Sequence, residues 1–268
     1  LQAQTIYYVD SSMADNNGNG TSWAAAKKDV QNAINAASSG DQVWVKAGTY
    51  KPTEIPDGNY GTIRDYSIHL KDSVKLYGGF TGNETNLAQR NWLTNVTILS
   101  GNVGVDSINT DNCFHVVVSV HDSAATVLDG FSIKDGYYPS VGSPIYVEGI
   151  TVMSFNGGGM FNGNSSPTIS NCIFSNNYND EGGGMFNDNG NPTIISCHFV
   201  NNKASGGGGI YNRNSNPGVS NCIFSSNTAG SGGGISNENS SPSISNSIFN
   251  GNTVVSLGGG MYSRNTSS

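Results

Sequence analysis

Charge is scarce in this chain: Asp, Glu, Lys and Arg together make up 12% of its 268 residues, about half the usual share. With 12 basic residues, 19 acidic ones and a formal charge of -7, it lacks the basic cluster with which a nucleic-acid binder neutralises phosphates. A local patch facing a polyanion is not excluded. No apolar run approaches the length of a membrane span. The four cysteines show no paired zinc spacing. The 36 glycines lack the every-third-residue period of collagen, and 35% apolar residues are enough for a core, so disorder is a poor account. Solubility then falls to Asn, Ser, Thr and Gly.

What the chain does have is a repeat. From residue 156 onward, Gly-Gly-Gly blocks recur at Gly157–Gly159, Gly182–Gly184, Gly207–Gly209 and Gly232–Gly234, a period of 25 residues. Each is followed by Met160, Met185, Ile210 or Ile235, then by Pro167, Pro192, Pro217 or Pro242. Ile169, Ile194, Val219 and Ile244 come two residues later, and Phe174, Phe199, Phe224 and Phe249 close the pattern. A final block, Gly258–Gly260 with Met261, arrives one residue late, as one insertion in a turn would produce. Such agreement identifies a solenoid before any propensity is weighed.

The apolar runs inside a repeat are short, β-branched and bounded by Asn and Ser, which favours strands over helices. Three short parallel strands and their turns account for roughly 22 to 25 residues, and successive rungs would lie about 4.8 Å apart. The expected fold is all-β: a right-handed parallel β-helix, a solenoid with an N-terminal capping helix. Met160, Ile169, Cys172 and Phe174, with their equivalents, should point inward. The column of Ile173, His198 and Ile223 should face outward. Asparagines also fall in columns, at Asn162, Asn187, Asn212 and Asn237; at Asn164, Asn189, Asn214 and Asn239; at Asn177, Asn202, Asn227 and Asn252; and at Asn171, Asn221 and Asn246 with Ser196 between. Asn tolerates left-handed backbone, and its amide can bond to the next rung; a row of ligand-binding amides is the alternative. Cys172, Cys197 and Cys222 read as a stack of buried thiols, because parallel Cβ directions do not favour a disulfide.

The first half is less regular. Thr5–Asp10 reads as a strand. Thr21-Ser22 is placed to cap a helix running to about Ala37, whose stripe of Val30, Ala33, Ile34 and Ala37 would cover the open end of the first rung. Residues 1–50 therefore hold a signal-peptide remnant (Leu1-Gln2-Ala3-Gln4, with a vector remnant as the alternative), the first strand and the cap. Residues 51–155 hold irregular rungs with insertions at 51–67, 82–95, 101–112 and 136–155. Residues 156–268 hold the regular rungs, expected to continue beyond this chain or to meet a partner, because the end falls within a rung. Sequons such as Asn19-Gly20-Thr21 and Asn95-Val96-Thr97 fit secretion or the cell surface.

Tyr7-Tyr8-Val9-Asp10, the Trp23 segment, Gly40-Asp41-Gln42-Val43-Trp44-Val45-Lys46-Ala47-Gly48-Thr49-Tyr50 and Leu76-Tyr77-Gly78-Gly79-Phe80 with Gln89-Arg90-Asn91 resemble secreted right-handed β-helix proteins of the pectate-lyase-like superfamily, especially large surface proteins of Bacteroidetes. The Gly-Gly-Gly-Met/Ile blocks paired with Phe-x-x-Asn resemble repeats of polymorphic outer-membrane adhesins. This resemblance covers nearly the whole chain and is specific for fold. It implies no single activity, since the superfamily includes lyases, hydrolases, adhesins and phage fibres.

For a lyase the resemblance implies a Lys or Arg base with Ca²⁺ held by clustered acids, or an Arg and Lys pair. A hydrolase would need paired carboxylates. Basic candidates are Lys134, Lys203, Arg213 and Arg264; acidic ones are Asp129, Asp135, Asp180, Glu181, Asp188 and Glu238. Asp188, Arg213, Glu238 and Arg264 fall in one column and are expected to form a surface ion ladder, each pair worth roughly 0.2–1 kcal/mol. Asp180-Glu181 is an acidic turn that offers oxygens to Ca²⁺. No residue is assigned as catalytic, cofactor-binding or metal-binding. The candidates for glycan binding are Tyr137, Tyr138 and Tyr146 in the last insertion, with His198 and Arg213 on the rungs; packing against the coil is the alternative for the tyrosines. The expected function is an extracellular structural or adhesin-type module whose partner is a polysaccharide or surface glycan. The alternative is a polysaccharide lyase or glycoside hydrolase working in a groove beneath the insertions.

Overall fold

The structure, a computed structural model, describes residues 4–58, 60–138 and 142–265. Leu1-Gln2-Ala3 of the signal-like opening lies outside the described residues. Among these, parallel strands wind into a β-helix whose walls are three long sheets. Sheet A has eight strands, from Ile6–Val9 to Ser243–Ser245. Sheet B has seven, from Gly48–Tyr50 to Ile248–Asn250, and sheet C has seven, from Ile68–His69 to Met261–Arg264.

The rungs are not built from three strands alone. A fourth sheet, D, is formed by Lys203–Gly206, Thr228–Ser231 and Thr253–Leu257. Isolated bridges carry its line back through Glu181 to Asn156 and through Tyr178 to Tyr137. The extra residue before Met261 sits within this sheet rather than in a turn. Ala229 pairs with Val254 but Ser231 pairs with Leu257, so the added residue is taken up as a bulge.

Register explains the core. Met160 pairs with Met185, Ile169 with Ile194, and Phe174 with Phe199, each 25 residues on. All of these side chains are fully buried, as are Cys172, Cys197 and Cys222. The Phe174, Phe199, Phe224 and Phe249 rings stack with centroids 4.9, 4.9 and 4.7 Å apart and are nearly parallel. Burying each such ring is worth roughly 1.5–3 kcal/mol. The thiols are free, and burial pushes those of Cys113 and Cys197 well above the ordinary cysteine range.

The asparagine columns divide into two kinds. Asn162, Asn187 and Asn212 each donate from Nδ2 to Oδ1 of the amide one rung on, at 2.8 Å. Asn202, Asn227 and Asn252 bond along their own column and also donate to the carbonyls of Phe174, Phe199 and Phe224 at 2.8–2.9 Å. Each column thus bonds within itself, and the second also satisfies buried backbone carbonyls. The Asn164 and Asn171 columns instead occupy the left-handed region, with φ of 47–55°, as does Ser196 at 53°. They are corners. A third corner, at Asn176, Asn201, Ser226 and Gly251, carries the same geometry. The first glycine of each block also has positive φ, and a Cβ on the third would lie 2.4–2.5 Å from a carbonyl oxygen one rung on in four successive blocks.

The N-terminal helix is shorter than expected. A single 3-10 turn, Trp23–Ala25, is followed by extended chain and then by α1 (Val30–Ala36). The break at Lys27 has a cause: its N–H donates to Tyr8 O at 2.8 Å and its carbonyl accepts from Asp10 N–H at 2.9 Å. Ser22 makes no capping bond. Val30, Ala33, Ile34 and Ala37 still face the main core, and α1 packs on the first strands of sheets A and C. Buried Gln31 donates to His69 O and accepts from His69 N–H, satisfying the open edge of sheet C.

This parity makes a sharp expectation for Phe199 and its neighbour His198, which point to opposite sides of one strand. Phe199→Ala should cost about 3–5 kcal/mol of unfolding free energy, whereas His198→Ala should stay within about 0.5 kcal/mol. Chemical denaturation of the two variants measures both, and equal losses would refute the assigned faces.

Candidate functional site

Side chains from sheets C and D line an open groove of about 430 Å³, within the roughly 300–1,000 Å³ range of ligand sites. Its aromatic side comes from a column that the repeat also carries: Phe161, Phe186, Tyr211, Ser236 and Tyr262 are consecutive partners on the outward face of sheet C. Phe161 and Phe186 stack at 5.8 Å, and Phe186 and Tyr211 at 5.5 Å. An antiparallel hairpin, Ile145–Val147 with Ile150–Val152, comes from the last insertion and packs its apolar residues onto this column. Past the hairpin the column reaches the groove, where Tyr211, Ser236 and Tyr262 meet Glu181, Ser205 and Ser231 from the sheet D side.

The expected ion ladder is broken into pairs. Arg213 binds Asp188 through two bonds of 2.9 and 3.1 Å, lies 3.9 Å from Glu181, and lays its guanidinium 4.9 Å from the Phe186 centroid. Glu238 does not pair with Arg213. One of its oxygens accepts from Tyr211 Oη at 2.6 Å and the other lies 3.0 Å from Arg264. The pairs Asp188–Arg213 and Glu238–Arg264 follow the column, whereas Tyr211–Glu238 and Arg213–Glu181 are diagonal contacts that column alignment alone does not reveal.

These contacts separate the two glutamates. Burial raises the Glu181 pKa against the lowering influence of Arg213. The Tyr211 hydrogen bond, with help from Arg264, lowers that of Glu238. Arg213 is raised by its bond to Asp188, and Arg264 by its bond to Glu238. Both guanidiniums are thus firmer cations than usual and poor proton acceptors. The Asp180 carbonyl, one of the oxygens offered to Ca²⁺, already accepts from Ser205 and Gly206 N–H. Among the described residues no three His, Cys, Asp or Glu side chains gather as metal ligands.

The other candidates lie apart from Arg213. Tyr138 is buried against Phe114 and Phe155, and Tyr137 packs on Tyr178 with centroids 5.1 Å apart. Tyr146 is exposed on the hairpin. His198 lies on sheet B, in an apolar cleft of about 110 Å³ beside Ile173, walled by Trp92 and Leu93 of the 82–95 insertion and by Val96 just after it. That insertion is fastened by Arg90, which pairs with Asp129 at 2.5 Å between the Tyr77 and Trp92 rings. Asp129 also accepts from Ser170 and Asn171, so this acid serves as an anchor. Sequence reasoning found Arg213, Glu181 and Glu238 but missed Tyr211 and Tyr262. Reading position 161 at the 25-residue period would have shown the aromatic column.

The family model described as "Right handed beta helix region" matches residues 86–268. No curated protein matches the sequence. Among solved structures, the chain is similar to the pectin methylesterase from Aspergillus niger in deglycosylated form, at 12% identity and a TM-score of 0.41, over 100% of this chain and 93% of that one.

A carboxyl ¹³C titration tests the electrostatics of the groove. Glu181 should titrate above the ordinary glutamate range, and higher still in Arg213→Ala, which removes its nearest cation. Because its folded pKa is raised, its contribution to stability is fully present below the unfolded glutamate pKa and is lost as pH rises through the folded value. A Glu181 that titrates normally, or is unmoved in the variant, contradicts this geometry.

Proposed function

Since the chain belongs to the right-handed β-helix family, we propose that it is an extracellular surface module of adhesin type that holds a glycan between sheets C and D without cleaving it. The observation that carries this is the groove lining: Tyr262, Asp180, Glu181, Ser205 and Ser231 face one cleft, with Arg264 tied to Glu238 at its edge. Sugar rings have apolar C–H faces and polar hydroxyl edges. Tyrosines supply a surface for the faces, and the fixed carboxylates and serine hydroxyls supply partners for the edges. A lyase would need a Lys or Arg able to lose its proton, and Arg264 in the groove lining is held more firmly protonated by its bond to Glu238. A surface rich in Asn, Ser and Gly and poor in charge suits an extracellular setting.

A glycoside hydrolase is the second reading, favoured by one observation. Glu181 and Glu238 have pKa values displaced in opposite directions, as an acid and its carboxylate partner would.

Incubation with neutral and acidic polysaccharides, with and without Ca²⁺, separates the two. Binding should be detected with no new reducing or unsaturated ends. Product formation that disappears in Glu181→Gln would overturn the noncatalytic reading in favour of hydrolysis.

A further inference from the structure

Four carboxyl groups are buried among the described residues, and three of them have what an anion needs. Asp129 has the Arg90 guanidinium. Asp41 accepts the N–H groups of Thr5 and Ser38, and Glu84 those of Thr81, Gly82 and Asn83. Asp122, the most buried at 3% exposure, has neither. It lies in the corner after Val117–Val120 of sheet C, and its carboxyl oxygens hydrogen-bond only to hydroxyls, those of Ser119 at 2.6 Å and Thr126 at 3.3 Å. The charges that face it share its sign: Asp72 in the turn before Lys75–Phe80, and Glu148 at the tip of the hairpin. Lys71 of that same turn spends its ammonium on the Ala37 carbonyl, and His121 is exposed. Burial, with these two carboxylates nearby, pushes the Asp122 pKa up to about 7.

The hydrogens of this corner suffice for its contacts only if Asp122 carries one. Ser119 Oγ lies 2.6 Å from Asp122 Oδ2 and 2.6 Å from Ser165 Oγ, and Ser165 Oγ lies 3.3 Å from the Asp122 carbonyl. Three contacts need three hydrogens, and the two serines supply two. We propose that the third is the proton of Asp122 itself, and that this proton works a latch. Neutral Asp122 donates to Ser119, Ser119 to Ser165, and Ser165 to the Asp122 carbonyl. The ring so closed joins the corner after Val117–Val120 to the corner after Met160–Gly163. Ionised Asp122 accepts from Ser119 instead, Ser165 turns back to Ser119, and the ring opens around a buried charge. The two strands are neighbours in sheet C, and Val118, Val120 and Phe161 on their outer faces seat the hairpin Ile145–Val152. The latch thus lies beneath the cover of the aromatic column, where the irregular rungs meet the regular ones. A carboxyl raised on folding stabilises most in acid, below the unfolded aspartate pKa, and that stabilisation disappears as pH climbs through about 7.

Asp122→Asn keeps the shape of the neutral acid and offers Ser119 an amide N–H, but it cannot ionise. Its melting temperature is compared with that of wild type from pH 5 to pH 9. The difference between the two, which cancels groups that titrate in both, should shift in favour of the variant by about 5 °C or more over that range. A carboxyl ¹³C titration of wild type should place the Asp122 midpoint near pH 7. Backbone hydrogen exchange, corrected for its intrinsic pH dependence, should accelerate between pH 6 and pH 8 at residues 117–122, 145–152 and 160–166 of wild type and not in the variant. A difference in melting temperature that stays constant with pH, or an Asp122 that titrates in the ordinary aspartate range, overturns the latch. Acceleration spread evenly over all rungs overturns its action on the hairpin seat. Should Asp122→Asn fail to fold, the wild-type titration and exchange decide the matter alone.

Discussion

Strand side chains in the regular half of this protein meet their own equivalents one rung away, because parallel strands pair at a displacement of 25 residues, or 26 into the last rung. That constraint admits only groups that tolerate a copy of themselves about 4.8 Å off. Phenyl rings do, by stacking. Carboxamides do, because each has a donor for the acceptor of the next, as the bonds from Asn162 through Asn187 and Asn212 to Asn237 show. Charges do not, since like charges directly opposite one another repel. The low charge content of 12% follows from the same rule. Where charges do enter a column, their signs alternate, as at Asp188, Arg213, Glu238 and Arg264.

Closing the coil around that stack requires sharp corners, and these are made by residues that accept positive φ. Asn serves at 164, 189, 214 and 239, and glycine opens each triplet. The groove lies where sheets C and D adjoin. Insertions then differentiate an otherwise uniform surface. The hairpin at Ile145–Val152 covers the aromatic column at Phe161 and leaves it accessible at Tyr262, while the 82–95 insertion makes a separate apolar cleft over sheet B.

The fold was legible in the sequence because column identity is a local property read at a fixed period. The inward places of Met160, Ile169, Cys172 and Phe174 follow from it directly. The groove was less legible, for physical reasons. Met160 and Phe161 are adjacent, point to opposite faces, and are both buried, so alternation does not mark Phe161 as an outer residue. Glu238 keeps its expected column partner Arg264 but takes the diagonal Tyr211 in place of Arg213, because a long side chain searches in three dimensions. The stripe from Val30 to Ala37 was real, but the chain before it was taken by pairing with Tyr8 and Asp10, a contact that helix propensity does not register. Sheet D escaped notice because its strands, such as Lys203–Gly206, have few apolar residues to show a period.

The central claim is that buried amides are locked together from rung to rung. Hydrogen exchange at the Nδ2 groups of Asn187, Asn202, Asn212 and Asn227, all buried and bonded within their columns, addresses it most directly. The account predicts that these side-chain protons exchange only through large-scale opening, as slowly as the backbone amides of the central rungs. Exchange at the rate of exposed asparagines would mean that the columns are not stacked, and the solenoid described here would be wrong.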